Sequence, residues 1–281
     1  MIWKELLAEA TEKLAVDLVD SPEFEARQIC FEASGADALD WVAISQQAVT
    51  EKAVAKVDGM VARRLAGEPL QYVLGSWGFR SLDLMVDKRV LIPRPETEEV
   101  AGWGIEALKG IETPRVLDLG TGSGAIGLSI ATEVPGSVVT LSDASEGALE
   151  VARANLAGVG MAGSKVDIRP GSWFDVLAES EQNTFDLIIS NPPYIGKEET
   201  LDESVTDWEP SSALISGDSG FADPEYIIEQ APKWLKPGGY LVIEHGHTQS
   251  SKLVESASTI YAQVESLVDM NGVSRAIRAK T

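Results

Sequence analysis

Val116-Leu117-Asp118-Leu119-Gly120-Thr121-Gly122-Ser123-Gly124 decides the fold. An apolar run of strand length passes into a glycine turn, and Ala125 to Glu133 then carries a helical pattern. The rhythm recurs downstream. Val138 to Leu141 reads as a second strand ending at Asp143, with a helix from Ser145 to Ala157 behind it. Val166-Asp167-Ile168 is a third strand, Phe185 to Ser190 a fourth, and Tyr240 to Glu244 a fifth, entered through Pro237-Gly238-Gly239. Strands and helices alternating at this length predict an α/β domain with a mainly parallel, doubly wound sheet. Ala262 to Asp269 and Ser274 to Ala279, joined by the short Asn271-Gly272 turn, predict an antiparallel hairpin at its edge.

Ahead of this domain the chain reads as helices. Trp3, Leu6, Leu7, Ala10 and Leu14 recur at helical spacing. Ser21-Pro22-Glu23 offers an N-cap, a first-turn proline and an early acid, and Gly35 a stop. Thr50-Glu51 opens another helix through Val54, Val57, Val61 and Leu65, closed near Gly67. Gly67-Glu68-Pro69-Leu70-Gln71-Tyr72 through Gly78-Phe79 reads as a turn-rich connector. After it Leu82, Leu84 and Val86 alternate with Asp83, Met85 and Asp87, and Val90-Leu91-Ile92 runs into Pro93-Arg94-Pro95-Glu96-Thr97-Glu98. That pattern predicts a hairpin ending in a rigid loop, with a helix starting near Glu96 and Arg94 confined between prolines where it can face a site. The expected domains are a helical, substrate-docking domain over 1–75, a β-hairpin linker over 76–100 and a catalytic domain over 101–281.

The totals narrow the function classes. At 281 residues the chain can bury a sizeable core. A formal charge of −21 repels phosphate backbones and acidic membrane surfaces, so stable nucleic-acid or membrane binding is not expected. The acidic stretches Glu96 to Glu99 and Glu198-Glu199 to Glu203 suit docking or solubility. The single cysteine, Cys30, lies within a helical pattern as a small core residue and fits a reducing compartment. No apolar run reaches the length of a membrane span, and Met1-Ile2-Trp3-Lys4-Glu5 lacks the regions of a signal peptide. The expectation is a cytoplasmic monomer.

Gly120 to Gly124 joins a strand to a helix N-terminus, where glycines allow positive φ and close approach of a ligand to free N–H groups. Gly122, Gly124 and Gly127 also fit a dinucleotide fingerprint, and Asp143 suits ribose hydroxyls. These features predict a ribose-bearing ligand without choosing between NAD and S-adenosylmethionine. An acidic protein tolerates the sulfonium and ammonium of the latter better than a pyrophosphate. Trp173, after the third strand, offers an indole face for adenine or serves as a core aromatic. Asp118 is placed to bind the loop backbone or a cofactor amino group. His245 and His247 have no Cys or third His beside them, and no metal is expected.

Asn191-Pro192-Pro193-Tyr194 follows the fourth strand, at the carboxyl end where open α/β sheets bind ligands. Neither proline can donate to a ladder, and Pro193 restricts Pro192, so the Pro192 carbonyl direction is narrowly set. That carbonyl and the Asn191 amide oxygen form two acceptors suited to an –NH2 group. Asn191, Pro192 and Tyr194 are the expected catalytic residues. Asn191 to Tyr194, with Pro193, are the expected acceptor-binding residues.

These residues resemble a class I S-adenosylmethionine-dependent methyltransferase acting on a planar amide or amine. Gly67 to Tyr72, Leu91 to Glu98 and Glu244-His245-Gly246 further resemble the release-factor glutamine methyltransferases of the HemK/PrmC family. The resemblance implies a Rossmann-like sheet with a small helical N-terminal domain. It also implies methylation of the glutamine side chain in the Gly-Gly-Gln loop of class-one peptide release factors. By position, Gly120, Thr121, Gly122, Ser123 and Gly124 would line S-adenosylmethionine, Asp143 would hold its ribose and Trp173 would lie by adenine. Asn191 would serve both cofactor and acceptor, and Tyr194 would pack on the amide plane. Ser172 stands where relatives often carry an acid facing the adenine amino group. A ribosomal-protein glutamine, or less readily a nucleic-acid adenine, is the alternative acceptor, and an NAD-dependent enzyme or binding module the alternative class.

Overall fold

The computed structural model describes residues 1–200 and 203–281. The expected acidic stretch ending at Glu203 lies partly outside the described residues. The chain forms two compact units, Met1–Ser76 with Glu203–Trp208, and Trp77–Asp202 with Glu209–Thr281.

The first unit is helical. Helices α1 (Trp3–Leu14), α2 (Pro22–Ser34) and α4 (Glu51–Leu65) pack on one another through Leu6, Ala10, Leu14, Ala26, Ile29, Cys30, Val57 and Val61, all buried. Thr50 caps α4 by accepting from the Ala53 N–H at 3.2 Å. Ser21 precedes Pro22 as the sequence predicts, but its side chain makes no capping bond. Two short helices escape the periodicity, α3 (Ala38–Ile44), capped by Asp37, and α5 (Leu70–Leu74), within the expected connector. Arg63 fixes α5 by donating to the carbonyls of Tyr72 at 2.9 Å and Val73 at 3.1 Å. The four-residue α9 (Glu203–Thr206) belongs to this unit.

In the second unit β1 (Ser76–Phe79) and β2 (Leu82–Met85) form a two-stranded sheet. Val90 to Ile92 is not a strand, contrary to the expectation. Val90 closes a turn onto Asp87, and the Ile92 N–H donates to the buried Glu209 carboxylate at 3.0 Å instead of to a ladder. The hairpin uses Ser76–Phe79 in its place. Its connecting Arg80 has φ of 52°, held by paired bonds of 2.6 and 2.7 Å to Glu133.

The main sheet contains β3 (Arg115–Leu119), β4 (Val138–Asp143), β5 (Val166–Pro170), β6 (Phe185–Ser190), β7 (Leu235–Glu244), β8 (Gln263–Val268) and β9 (Ser274–Lys280). Their order is β5-β4-β3-β6-β7-β9-β8. β9 runs antiparallel to both β7 and β8, which makes the predicted edge hairpin. Helices α6 (Pro95–Ala107), α7 (Ala125–Glu133) and α8 (Glu146–Val159) cover one face, and α10 (Ala222–Gln230) and α11 (Ser250–Ser258) the other. Every residue of β6 is buried: Leu187 and Ile189 enter one core, Phe185 and Ile188 the other. That is why its sequence is a continuous apolar run.

Gly127 sets the approach of α7 to the sheet. A Cβ there would stand 2.1 Å from Leu141 Cδ2 and 2.9 Å from Asp118 Oδ2. Gly127→Ala is expected to destabilise the protein by about 1–3 kcal/mol through overpacking, read as a lower midpoint in urea denaturation.

Candidate active site

β3 and β6 are parallel neighbours in a register that pairs Leu119 with Ser190. The chain winds from β3 outward through β4 and β5, then returns to β6 and winds the other way. The crevice at that reversal, beyond the carboxyl ends of the strands, is where such sheets bind ligands. Gly120 and Asn191 therefore leave the sheet at one level, side by side. A cleft of about 380 Å³ opens there, lined by residues 120–123, Asp143, Trp173, Asn191 and Pro193, together with Arg94, Thr97 and residues 210, 212 and 213. That volume suits a small organic ligand.

Two buried carboxylates shape the glycine loop. Asp118 Oδ2 accepts from the Thr121 hydroxyl at 2.6 Å and from the Gly127 N–H at 2.9 Å, while Oδ1 is buried without a partner. Burial raises the Asp118 carboxyl to about 6. Asp143 accepts from the Gly122 N–H at 2.9 Å and the Ser145 N–H at 2.8 Å, and burial pushes its carboxyl up against those donors. Asn155, on α8, donates to the carbonyls of Ser123 at 2.8 Å and Met85 at 3.1 Å, pinning the loop from behind. Of the expected cofactor residues only Gly124 is not in the cleft wall. Its φ of 87° starts α7.

Trp173 stands over Gly120. A Cβ on Gly120 would lie 3.4 Å from the indole, and Gly120 already has φ of 67°. Trp173 itself has φ of 44°, a strained setting for a bulky residue. Ser172 is exposed and also faces the cleft.

Asn191 Nδ2 donates to the Thr97 hydroxyl at 3.2 Å, which leaves its Oδ1 for the cleft. Pro192 is buried and, like Tyr194, is outside the cleft wall. The Tyr194 carbonyl accepts from Gln249 Nε2 at 2.8 Å. Its phenol is raised by burial and by the nearby Glu244. Glu244 ends β7, 3% exposed, with Oε2 unpartnered, and burial raises its carboxyl to about 7. His245, beside it, is buried, with Nδ1 against the Gly246 carbonyl at 2.9 Å. Arg94 faces the cleft as expected, but its guanidinium is paired to buried Glu209. That pair and the Ile92–Glu209 bond tie residues 210–213 to the cleft wall. Glu209 and Asn155 have no motif to mark them in the sequence, and Thr97 stands there only as a member of the Leu91 to Glu98 stretch, with no role of its own.

Two family models match the chain: the PrmC N-terminal domain over residues 5–75 and the methyltransferase small domain over residues 105–207. A release factor glutamine methyltransferase of Bifidobacterium longum is 37% identical, with 98% of each chain covered. The chain belongs to this family. A second member, from Aliivibrio fischeri, is 35% identical over 88% of this chain and 86% of its own. Among solved structures, the catalytic domain of hMettl16 in complex with MAT2A 3'UTR hairpin 6 matches with a TM-score of 0.56 at 13% identity, covering 89% of this chain and 91% of that one. A methyltransferase from Pyrococcus furiosus matches with a TM-score of 0.52 at 19% identity, covering 79% and 98%. Both share the Rossmann-like class I methyltransferase fold found in this family member. Among the described residues no helix is long and apolar enough to cross a membrane, and no cluster of candidate metal ligands is present.

Asp118 is buried at a cost that grows with pH. Its carboxyl holds a proton in the folded protein at pH values where the unfolded chain has lost it, so its contribution to stability falls as pH rises towards about 6. Asp118→Asn keeps an oxygen for Thr121 and Gly127. In ligand-free protein it is expected to raise the melting temperature by several degrees at pH 8, a relief on the order of 2–3 kcal/mol, and by less at pH 5. Differential scanning fluorimetry at the two pH values measures the difference.

Proposed function

We propose that this chain transfers a methyl group from S-adenosylmethionine to the side-chain amide nitrogen of the glutamine in the Gly-Gly-Gln loop of class-one peptide release factors. The observation that carries the reading is Asn191 in the wall of a nucleoside-sized cleft beside the glycine loop, its Nδ2 taken up by Thr97 so that Oδ1 is the end left for an acceptor. Family membership supplies the acceptor class.

The cleft residues fit the methyl donor. Gly120 to Ser123 would hold its amino-acid portion, with the buried Asp118 behind the loop holding Thr121 and the Gly127 N–H in place. Asp143 retains lone pairs for ribose hydroxyls beyond its backbone contacts. Trp173 would cover adenine, and Ser172 offers a hydroxyl at that end. When bound, S-adenosylmethionine supplies an electrophilic methyl carbon on a sulfonium.

The chain's own residues make an amide nitrogen usable. A carboxamide lone pair is delocalised into its carbonyl, so the nitrogen attacks poorly unless it is held. Asn191 Oδ1 and the Pro192 carbonyl would each accept one N–H of the substrate –NH2, orienting the nitrogen and favouring positive charge developing there. Tyr194 would pack on the amide plane and exclude water. The methylated nitrogen is acidic enough to release its proton without a strong base. Docking of the release-factor body is assigned to the helical unit, where Leu39 and Val42 on α3 are 86% and 79% exposed. The charge of −21 weighs against a nucleic-acid acceptor.

Purified protein, labelled S-adenosylmethionine and unmodified release factor are expected to give label on the factor and none on a variant whose loop Gln is Ala. Asn191→Ala is expected to abolish that turnover and leave cofactor affinity, measured by calorimetry, within about twofold, because with Nδ2 on Thr97 its one remaining oxygen is assigned to the acceptor and not, as the resemblance implied, shared with the cofactor. Label on a ribosomal protein instead would redirect the acceptor. Loss of cofactor binding in Asn191→Ala would overturn the assignment of roles.

A further inference from the structure

Glu244, the last residue of β7, is a buried acid with one oxygen left without a partner. The parallel register of β6 and β7 pairs Ser190 with Ile243, so Asn191 and Glu244 are the next residues on adjacent strands. Helix α6 packs across both strands and brings Thr97, itself 4% exposed, to their ends. The Thr97 hydroxyl accepts from Asn191 Nδ2 at 3.2 Å and also acts on the Glu244 carboxyl, favouring its ionised form.

A carboxamide can present either its oxygen or its –NH2 to the cleft, and the two ends differ little in shape. Hydrogen-bond logic removes the ambiguity. An ionised carboxylate only accepts, so the single hydroxyl proton of Thr97 points to Glu244. Thr97 then has only lone pairs to offer Asn191, which must turn Nδ2 to it. Oδ1 is left facing the cleft. The reversed amide would put –NH2 against the acceptor's –NH2, donor against donor.

We infer that Thr97 and Glu244 are positioning residues that fix the orientation of the Asn191 carboxamide and so define the cleft as a site for an amide nitrogen. The inference rests on the acceptor role proposed for Asn191 and adds what holds that residue in its working orientation. Neither residue touches the reacting atoms in this account. The titratable and polar groups that act on Glu244 are Glu96 and Thr97 of α6, Arg94 ahead of it and Arg275 of β9, and Glu244 in turn acts on the Tyr194 phenol. The two arginines favour its ionised form while burial and Glu96 oppose it. Protonation of Glu244 frees the Thr97 hydroxyl to turn to Asn191 Oδ1, so the constraint weakens on the acid side.

The test compares wild type, Thr97→Val, Thr97→Ser and Glu244→Gln at pH 8 with release factor as acceptor. Thr97→Val is expected to lower kcat on the order of 10–100-fold, as for a misplaced reacting group, with the S-adenosylmethionine Kd unchanged within about twofold. Thr97→Ser, which restores the hydroxyl, recovers most of that loss. The wild-type kcat falls as pH drops through about 7, and Glu244→Gln lacks that limb. Independently of any acceptor, the Asn191 side-chain amide protons in NMR spectra are protected from exchange in wild type and Thr97→Ser and exposed in Thr97→Val. Wild-type turnover with Thr97→Val equally active, or Thr97→Ser as impaired as Thr97→Val, would overturn the inference. If wild type transfers nothing to release factor, the proposed acceptor falls, and the Asn191 amide signal alone decides whether Thr97 holds it.

Discussion

The parallel pairing of β3 with β6 is the constraint on which the site depends. It ends both strands at one level, Leu119 opposite Ser190, and sends a glycine loop from one and a proline-stiffened turn from the other into the same crevice. The Ser190 hydroxyl donates to the Leu119 carbonyl at 2.7 Å, stitching the two ends together before they diverge. A one-residue slip would turn every side chain of β6 to the opposite core. Burial on both faces therefore fixes the register, and the register fixes the distance between the glycine loop after β3 and the Asn191 to Tyr194 turn after β6. Packing in the core thus sets the geometry of chemistry at its edge.

Around that crevice the protein keeps groups that a purely structural core would discard. Asp118 and Glu244 are both buried, each with one oxygen lacking a partner, and both carboxyls are raised by desolvation. Trp173 holds an unfavourable φ above Gly120. Such departures gather where function overrides stability. Elsewhere in the same unit a buried acid is fully satisfied. Asp186 accepts from the Arg115 N–H at 2.8 Å and from Lys236 at 2.7 and 2.8 Å, at the start of β6, away from the cleft.

Much of this was legible because local rules and tertiary packing agree. The apolar run at Phe185 to Ser190, the glycine turn after Leu119 and the Asn271-Gly272 turn each announce an element that packing then confirms. Short helices were less visible: α3 and α5 span about two turns or fewer, too little for a period to emerge. Val90 to Ile92 misled because an apolar β-branched run also suits the wall of a cleft. Its N–H group is satisfied by Glu209, 117 residues away. The orientation of Asn191 was illegible for the same reason. The tetrapeptide supplies the amide, while the groups that turn it sit on α6 and β7. Sequence spacing marks donors and acceptors, but the direction of a hydrogen bond is set by neighbours that only the fold brings together.

A crystal structure of the protein with S-adenosylhomocysteine and a peptide carrying Gly-Gly-Gln tests the account most directly. The glutamine side chain is expected beside Asn191, with its amide nitrogen about 3 Å from Asn191 Oδ1, and Nδ2 still on Thr97. A glutamine bound elsewhere, or an Asn191 amide turned with Nδ2 into the cleft, would contradict it.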